Sequence, residues 1–254
     1  MKIKNKLWLL AMIALIGITA GNLYANPVAG LYAKAPPIAA GDTPIAGLRP
    51  NNIFDTISHI NSNPGTYTML VDQNFEDPTR TFSGNRNINL TIMGIGEGRF
   101  IQTGSSSGPL FRITNPNATL TFMNITLRGH QNHDGFMIYV QDGTLIMGAG
   151  SRITGHTTRH TNGAVAVGNA MNDDSNANFV MDGGEISGNI STSDRDTATG
   201  GINIGRGGSL TMRSGSITGN FRNTNVPADL TVAARARTIT RQGGTIGAIT
   251  DQRQ

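Results

Sequence analysis

The chain has 254 residues, of which 37% are hydrophobic, only 14% are charged, and 33 are glycine. A helical bundle or coiled coil needs far more Ala, Leu, Glu and Lys, and a disordered polyelectrolyte needs far more charge, so both are excluded. With no cysteine, a disulfide scaffold, a thiolate metal site and a cysteine nucleophile are excluded too.

Residues 1–25 read as a signal peptide. Lys2, Lys4 and Lys6 precede the apolar run Leu7–Ile18 (LWLLAMIALIGI), and small residues lead to Ala25. That run is short for a membrane span of about 20 residues, so the expectation is a cleaved segment, with no transmembrane segment afterwards. A retained amphipathic anchor is the alternative. Cleavage is expected after Ala25, with Ala20 as the second choice; no Cys follows to carry a bacterial lipid anchor. The formal charge of +4 comes largely from this segment: 20 Lys+Arg less its three lysines leaves 17, against 16 Asp+Glu. The mature chain is near neutral, and no nucleic-acid partner is expected. The predicted address is secreted, or the bacterial cell surface or outer membrane.

Residues 26–50 are rich in Pro, Ala and Gly and lack periodicity, as in a linker or loosely docked arm. Residues 51–254 form the predicted folded domain. It opens with a helix at Asn51–Asn61, Asn51 or Asn52 being the cap and Ile53, Phe54, Ile57 and Ile60 sharing one face. Asn63-Pro64-Gly65 ends that helix, and the alternation Tyr67, Met69, Val71 predicts a first strand.

From Leu90 onward the sequence repeats itself. Leu120–His130 (LTFMNITLRGH), Phe179–Asn189 (FVMDGGEISGN), Leu210–Asn220 (LTMRSGSITGN) and Ile239–Ala248 (ITRQGGTIGA) align, and Leu145–His156 (LIMGAGSRITGH) fits with one insertion. Each opens on alternating apolar residues; Ile239/Arg241 is a frayed last copy. A second anchor follows at Leu127, Ile153, Ile186, Ile217 or Ile246, then glycine (129, 155, 188, 219) and His or Asn, with Ala248 departing at the end. A third apolar patch completes each unit: Phe136–Val140, Ala164–Val167, Ile202–Ile204 and Leu230–Val232. A weaker unit opens at Leu90 and contributes Phe111 and Ile113. Such self-similarity marks a stacked repeat whose units share one core.

Apolar spacing of two, frequent glycine and abundant Thr and Ile predict strands. Three short strands per unit make one triangular coil, so the predicted fold is all-β: a single-stranded right-handed parallel β-helix of about six three-strand coils with a short N-terminal capping helix. Gly and Asn suit sharp corners, and Asn side chains can bond from coil to coil in a ladder. A β-sandwich is the rival, but its strands would not recur with the same Gly-Asn corner. The units lengthen after that corner, at Ile190–Thr199 and Phe221–Asp229, so loops are expected to grow from one edge.

Phe179–Asn189 followed by Gly200-Gly201-Ile202 resembles repeats of bacterial secreted right-handed β-helix proteins. These are in the style of polymorphic outer-membrane protein and autotransporter-adhesin passengers of the pectate-lyase-like superfamily. The resemblance covers roughly Leu90–Ala248, and Phe179–Asn220 is its most specific part. It implies adhesin-like binding of host or matrix polymers. No run of alternating barrel strands follows the last unit, so export through a barrel of its own is not expected.

Two functions are weighed. The first is a secreted or surface non-enzymatic binding protein, with an extracellular polysaccharide or a host surface protein as partner. The second is a polysaccharide lyase or glycoside hydrolase, which would need carboxylates paired on neighbouring coils. The available acids, Asp173-Asp174, Asp182/Glu185 and Asp194/Asp196 beside Arg195, are poorly spaced for that and read as solvated loop residues. With Trp8 in the signal segment and few tyrosines beyond the linker (Tyr67, Tyr139), the aromatic platforms usual in sugar clefts look scarce. The balance is against an enzyme; no catalytic residue, cofactor or metal ligand is assigned.

Four further patterns carry lesser expectations. His130, His133, His156 and His160 follow equivalent corners of successive units, so stacking would bring His130 and His156 within about 5 Å, with Asp134 nearby. That is either a metal-binding cluster or histidine standing where Asn stands later. Arg235, Arg237 and Arg241 read as one outward strand face or a polyanion patch. Gly94-x-Gly96-x-Gly98 lacks the context of a dinucleotide fingerprint and reads as a corner, and the Asn-x-Ser/Thr triplets fit chance in so Asn-rich a chain. The helix would cover the top of the stack, while Thr250–Gln254 serve as a polar cap or dock to a partner, giving a monomer or a weak end-to-end oligomer.

Overall fold

Alternating apolar residues, cut every few positions by glycine, give short strands, and these wind into a parallel β-helix. The computed structural model describes residues 29–253 except 39–42, 50–51, 78–79, 105–107, 132 and 170–173. The signal-peptide reading of residues 1–25 lies outside the described residues, as do Asn51 and Asp173.

Three strands form each turn. On the first face, Ile88–Gly94, Ala118–Met123 and Gly143–Met147 lie side by side in parallel, continued by the first halves of Ala177–Ser187 and Gly208–Ile217. The second face stacks Phe100–Thr103, Thr126–Arg128 and Arg152–Thr154 in the same way, and is continued by the second halves of those two long strands. The third face has seven strands, from Arg80–Phe82 to Ile249–Asp251, so the chain makes about six turns. Because Ala177–Ser187 and Gly208–Ile217 bend through a corner unbroken, the first two faces join into one 13-stranded sheet.

Parallel register stacks like on like, which is why apolar position repeats rather than total hydrophobicity. Leu90, Leu120, Leu145, Phe179, Leu210 and Ile239 form one column. Leu127, Ile153, Ile186, Ile217 and Ile246 form a second. Phe111, Ile138, Val165, Ile202 and Leu230 form a third. Apart from the last-turn residues Ile239 and Ile246, these side chains are almost wholly buried in a single core. Phe75 and Ile101 extend the second column backward, which the repeat alignment did not reveal.

The N-terminal end is covered. Part of the Pro/Ala/Gly-rich arm is a docked strand: β1 (Gly30–Tyr32) pairs antiparallel with Thr68–Leu70 and buries Leu31 and Tyr32. The helix α1 (Ile53–Ser62) is capped by Asn52, whose side chain accepts from the Asp55 N–H at 3.2 Å, and buries Ile53, Ile57 and Ile60 in the core. Phe54 does not share that face: it is 57% exposed, with the Arg80 guanidinium 5.0 Å above its ring. Asn61 satisfies the third face's first edge, donating to the Thr81 carbonyl at 2.9 Å and accepting from the Ser83 N–H at 3.3 Å.

At the other end, Ile249–Asp251 form a strand parallel to Leu230–Val232 rather than a cap beyond the stack. Register places Arg241 over Met212, and Asp251 over Val232, in columns that are apolar below, and both charged residues are exposed. Polar side chains thus close two core columns at the last turn, while Ile249 stays 45% exposed.

Candidate functional site

The corner after the second face is held by a ladder of side-chain amides. Gly155, Gly188 and Gly219 turn it with φ of +72°, +68° and +68°, a region that costs an L-side chain energy but not glycine. The next residue points inward and bonds to the turn that follows. The His156 N–H donates to the Asn189 Oδ1 at 3.1 Å, and the Asn189 Nδ2 donates to the Asn220 Oδ1 at 2.9 Å. Asn220 donates in turn to the Asp229 Oδ1 through its main-chain N–H at 2.8 Å and its Nδ2 at 2.9 Å. The expected Asn ladder is therefore present, with a histidine at one end and a buried carboxylate at the other.

His130 and His156 stand on successive turns, the Thr157 N–H donating to the His130 carbonyl at 3.2 Å, and the His156 ring also packs against His133, ring centroids 5.1 Å apart. His160 is exposed and lies against Phe136 at 5.3 Å, and His130 is half-buried. The chain leaves the coil after His130, and the excursion folds His133 back onto the corner. Both inner rings hold backbone carbonyls through Nε2, His133 that of Gly108 and His156 that of Gly135, each at 2.9 Å. Burial lowers the pKa of both, that of His156 to about 4, with the nearby His133 and His130 adding to the effect. Two neutral imidazoles committed to carbonyls make a packing pair. Among the described residues, no group of three or more His, Asp or Glu is placed to hold a metal ion.

The candidate acids pair with arginines. Asp182 meets Arg213 at 2.9 Å, Glu185 meets Arg152 at 3.4 Å and Asp196 meets Arg222 at 2.9 Å, each in a solvent-exposed bridge. Asp174 and Asp194 are exposed. Neighbouring turns bring carboxylate to guanidinium here because the register sets Glu185 beside Arg152.

A concavity lies on the outer side of the third face. The middle residues of the third-face strands point outward and stack in register as Tyr139, Ala166, Asn203 and Thr231, a floor about 15 Å long running along the rod axis. One wall is raised by Thr197, from the predicted edge loop Ile190–Thr199, and by Thr161 and Asn162; the turns leaving the face raise the other, with Arg206, Arg235 and Gln252. The small side chain of Ala166 keeps the middle of the floor low. The groove encloses about 440 Å³.

Its chemistry is that of a binding surface. Tyr139 stands at one end, packed on Phe136 at 4.9 Å, with the Arg112 guanidinium 5.4 Å over its ring. Arg112 is itself held by the Gln141 Oε1 at 3.4 Å. Burial raises the Tyr139 pKa, opposed by Arg112 and Gln141, so the hydroxyl keeps its proton near neutrality and can donate as well as accept. Thr231 donates to the Thr197 carbonyl at 3.2 Å, tying the floor to the loop wall. Among the described residues, the lining offers an aromatic ring, amides, hydroxyls and two guanidinium groups, and no carboxylate or imidazole.

Sequence reasoning listed Tyr139 among the few tyrosines but did not place it here, and missed Asn203 and Thr231. The readable signal was the middle residue of each third patch (IYV, VAV, INI, LTV), which alternation turns outward. Arg235 lies in a turn and Arg237 in the irregular segment after it, not on a strand face, and of the three only Arg241 belongs to a strand, Ile239–Arg241. No family model matches the chain, and neither a curated protein nor a solved structure matches it significantly.

Proposed function

We propose that this chain is a secreted or cell-surface binding rod of the bacterial β-helix repeat type, right-handed as parallel crossovers favour, engaging an extracellular polymer without cleaving it. The observation that carries this reading is the third-face groove. It runs lengthwise along the rod, so an extended chain can lie across several turns, and it presents an aromatic platform, Tyr139, with the side-chain amide of Asn203 two turns further on. The basic and apolar run of residues 1–25 supports export. No helix among the described residues is long and apolar enough to cross a membrane.

A lyase or hydrolase reading needs an acid and a base flanking the bound polymer, and among the described residues the groove lining supplies neither as a carboxylate or an imidazole. The test is a screen of residues 26–254 against pectin, alginate and host-matrix polymers, scoring both retention and chain length. Retention with unchanged chain length is the expected result; shortening of any polymer overturns the non-enzymatic reading.

A further inference from the structure

The packing of His133 on His156 engages only one nitrogen of each ring. A carbonyl can only accept, so the His133 Nε2 that holds Gly108 and the His156 Nε2 that holds Gly135 both carry a proton. Burial keeps both rings neutral. The tautomer is thereby fixed, and each Nδ1 is left as a bare lone pair. The two side chains are only 1% and 0% exposed, and neither buried Nδ1 has a hydrogen-bond partner. A buried acceptor without a donor is unfavourable, and two of them on stacked rings point to a shared ligand.

The chemistry of that ligand follows from the tautomer. A histidine that ligates a metal characteristically donates its other ring N–H to a carbonyl or carboxylate, which sets the ring's orientation and raises the basicity of the ligating nitrogen. His133 and His156 each show that arrangement, with the carbonyl at 2.9 Å and the ring centroids 5.1 Å apart. His133 also lines a pocket of about 230 Å³ with Gln131, Asp134 and Thr158, which gives a path inward and room for water to complete a coordination shell. Two nitrogens are assembled, and no third His, Asp or Glu joins them among the described residues. Imidazole donors suit zinc and copper, whereas magnesium and calcium take oxygen ligands.

We infer that the Nδ1 atoms of His133 and His156 together bind a divalent transition-metal ion at the corner of the rod, a site separate from the groove. Calorimetric titration with Zn²⁺ tests it: one ion per chain is expected, with no comparable uptake of Mg²⁺. His156→Asn installs the residue that later turns carry at this corner, and His133→Ala removes the other ligand within the excursion. Each should weaken Zn²⁺ binding about tenfold or more. Melting curves establish that each variant folds. Electron paramagnetic resonance of the unaltered protein with one equivalent of Cu²⁺ needs no variant, and coupling to two imidazole nitrogens is expected. Absence of Zn²⁺ binding, full affinity in either folded variant, or coupling to fewer than two nitrogens overturns the inference and leaves His133 and His156 as a packing pair alone.

Discussion

Asp229 receives both the main-chain and the side-chain N–H of Asn220, at 2.8 and 2.9 Å, and ends the corner ladder inside the fold. Its other oxygen accepts the Ala248 N–H at 2.8 Å, which holds the last turn where the Gly-Asn signature has lapsed. Asp229→Ala leaves three N–H groups without their acceptor and should cost about 2–4 kcal/mol. Asp229→Asn keeps one acceptor oxygen and should cost less. Urea unfolding monitored by circular dichroism gives both values, and equal stability of all three proteins would show the ladder end to be idle.

The buried imidazole pair makes the fold acid-sensitive. Burial holds His156 at a pKa of about 4 against 6.5 in the unfolded chain, so the unfolded state takes up the proton first. Stability is therefore complete above about pH 6.5 and falls as pH drops toward 4, by on the order of 3 kcal/mol from this residue. His133 is shifted the same way and adds to the fall; His130 disfavours the charged form of both, while Asp134 partly favours that of His133. His156→Asn installs the residue that later turns use and should flatten the slope of stability against pH in that range. An unchanged slope would contradict the buried, neutral assignment.

The hairpin beyond Phe221–Arg222 turns through Asn223 and Thr224 with φ of +47° and +67°. Left-handed backbone is tolerable for Asn and costly for a β-branched residue, so Thr224 holds strain that glycine would release. Thr224→Gly should change stability by less than about 1 kcal/mol in the stabilising direction, the flexibility gained by the unfolded chain offsetting part of the relief. A measurably less stable protein would contradict the strain.

Two corner glycines are needed for different reasons. A Cβ on Gly129 would stand 2.3 Å from the His156 Cα, a backbone atom that cannot yield without moving the next turn. A Cβ on Gly155 meets nothing within 4 Å and pays only for its φ of +72°. Gly155→Ala should cost about 1 kcal/mol, and Gly129→Ala several times more, read from paired melting curves. The reverse order would mean that the turns are not stacked in this register.

The stack was legible in the sequence because parallel register forces like residues onto like: Phe179 over Leu210 and Ile186 over Ile217 are visible as repeats before any coordinates. The corner amides Asn189 and Asn220 were legible for the same reason. What could not be read was anything set by residues that break the repeat. His133 lies three residues beyond the corner, in an excursion whose path no periodicity specifies. Phe54 fits the helical spacing of Ile53 and Ile57 but falls at the rim of that face, beside Arg80 from the first turn. Asp229, which completes the ladder, comes from the far side of the hairpin. The groove escaped notice because its floor lies outside the repeating core columns, so Tyr139, Ala166, Asn203 and Thr231 share a column without sharing a side-chain type.

Filling that groove is the most direct trial of the account. Asn203→Trp places a large ring on the outer side of the third face, between Ala166 and Thr231, without touching the core column of Ile202 and Ile204. The decisive measurement is the binding isotherm of this variant for the polymer that the unaltered protein retains best among hyaluronan, chondroitin sulfate, pectin, alginate and matrix proteins. An unchanged melting curve with binding abolished is the predicted result; an unchanged melting curve with binding intact would place the functional surface elsewhere on the rod.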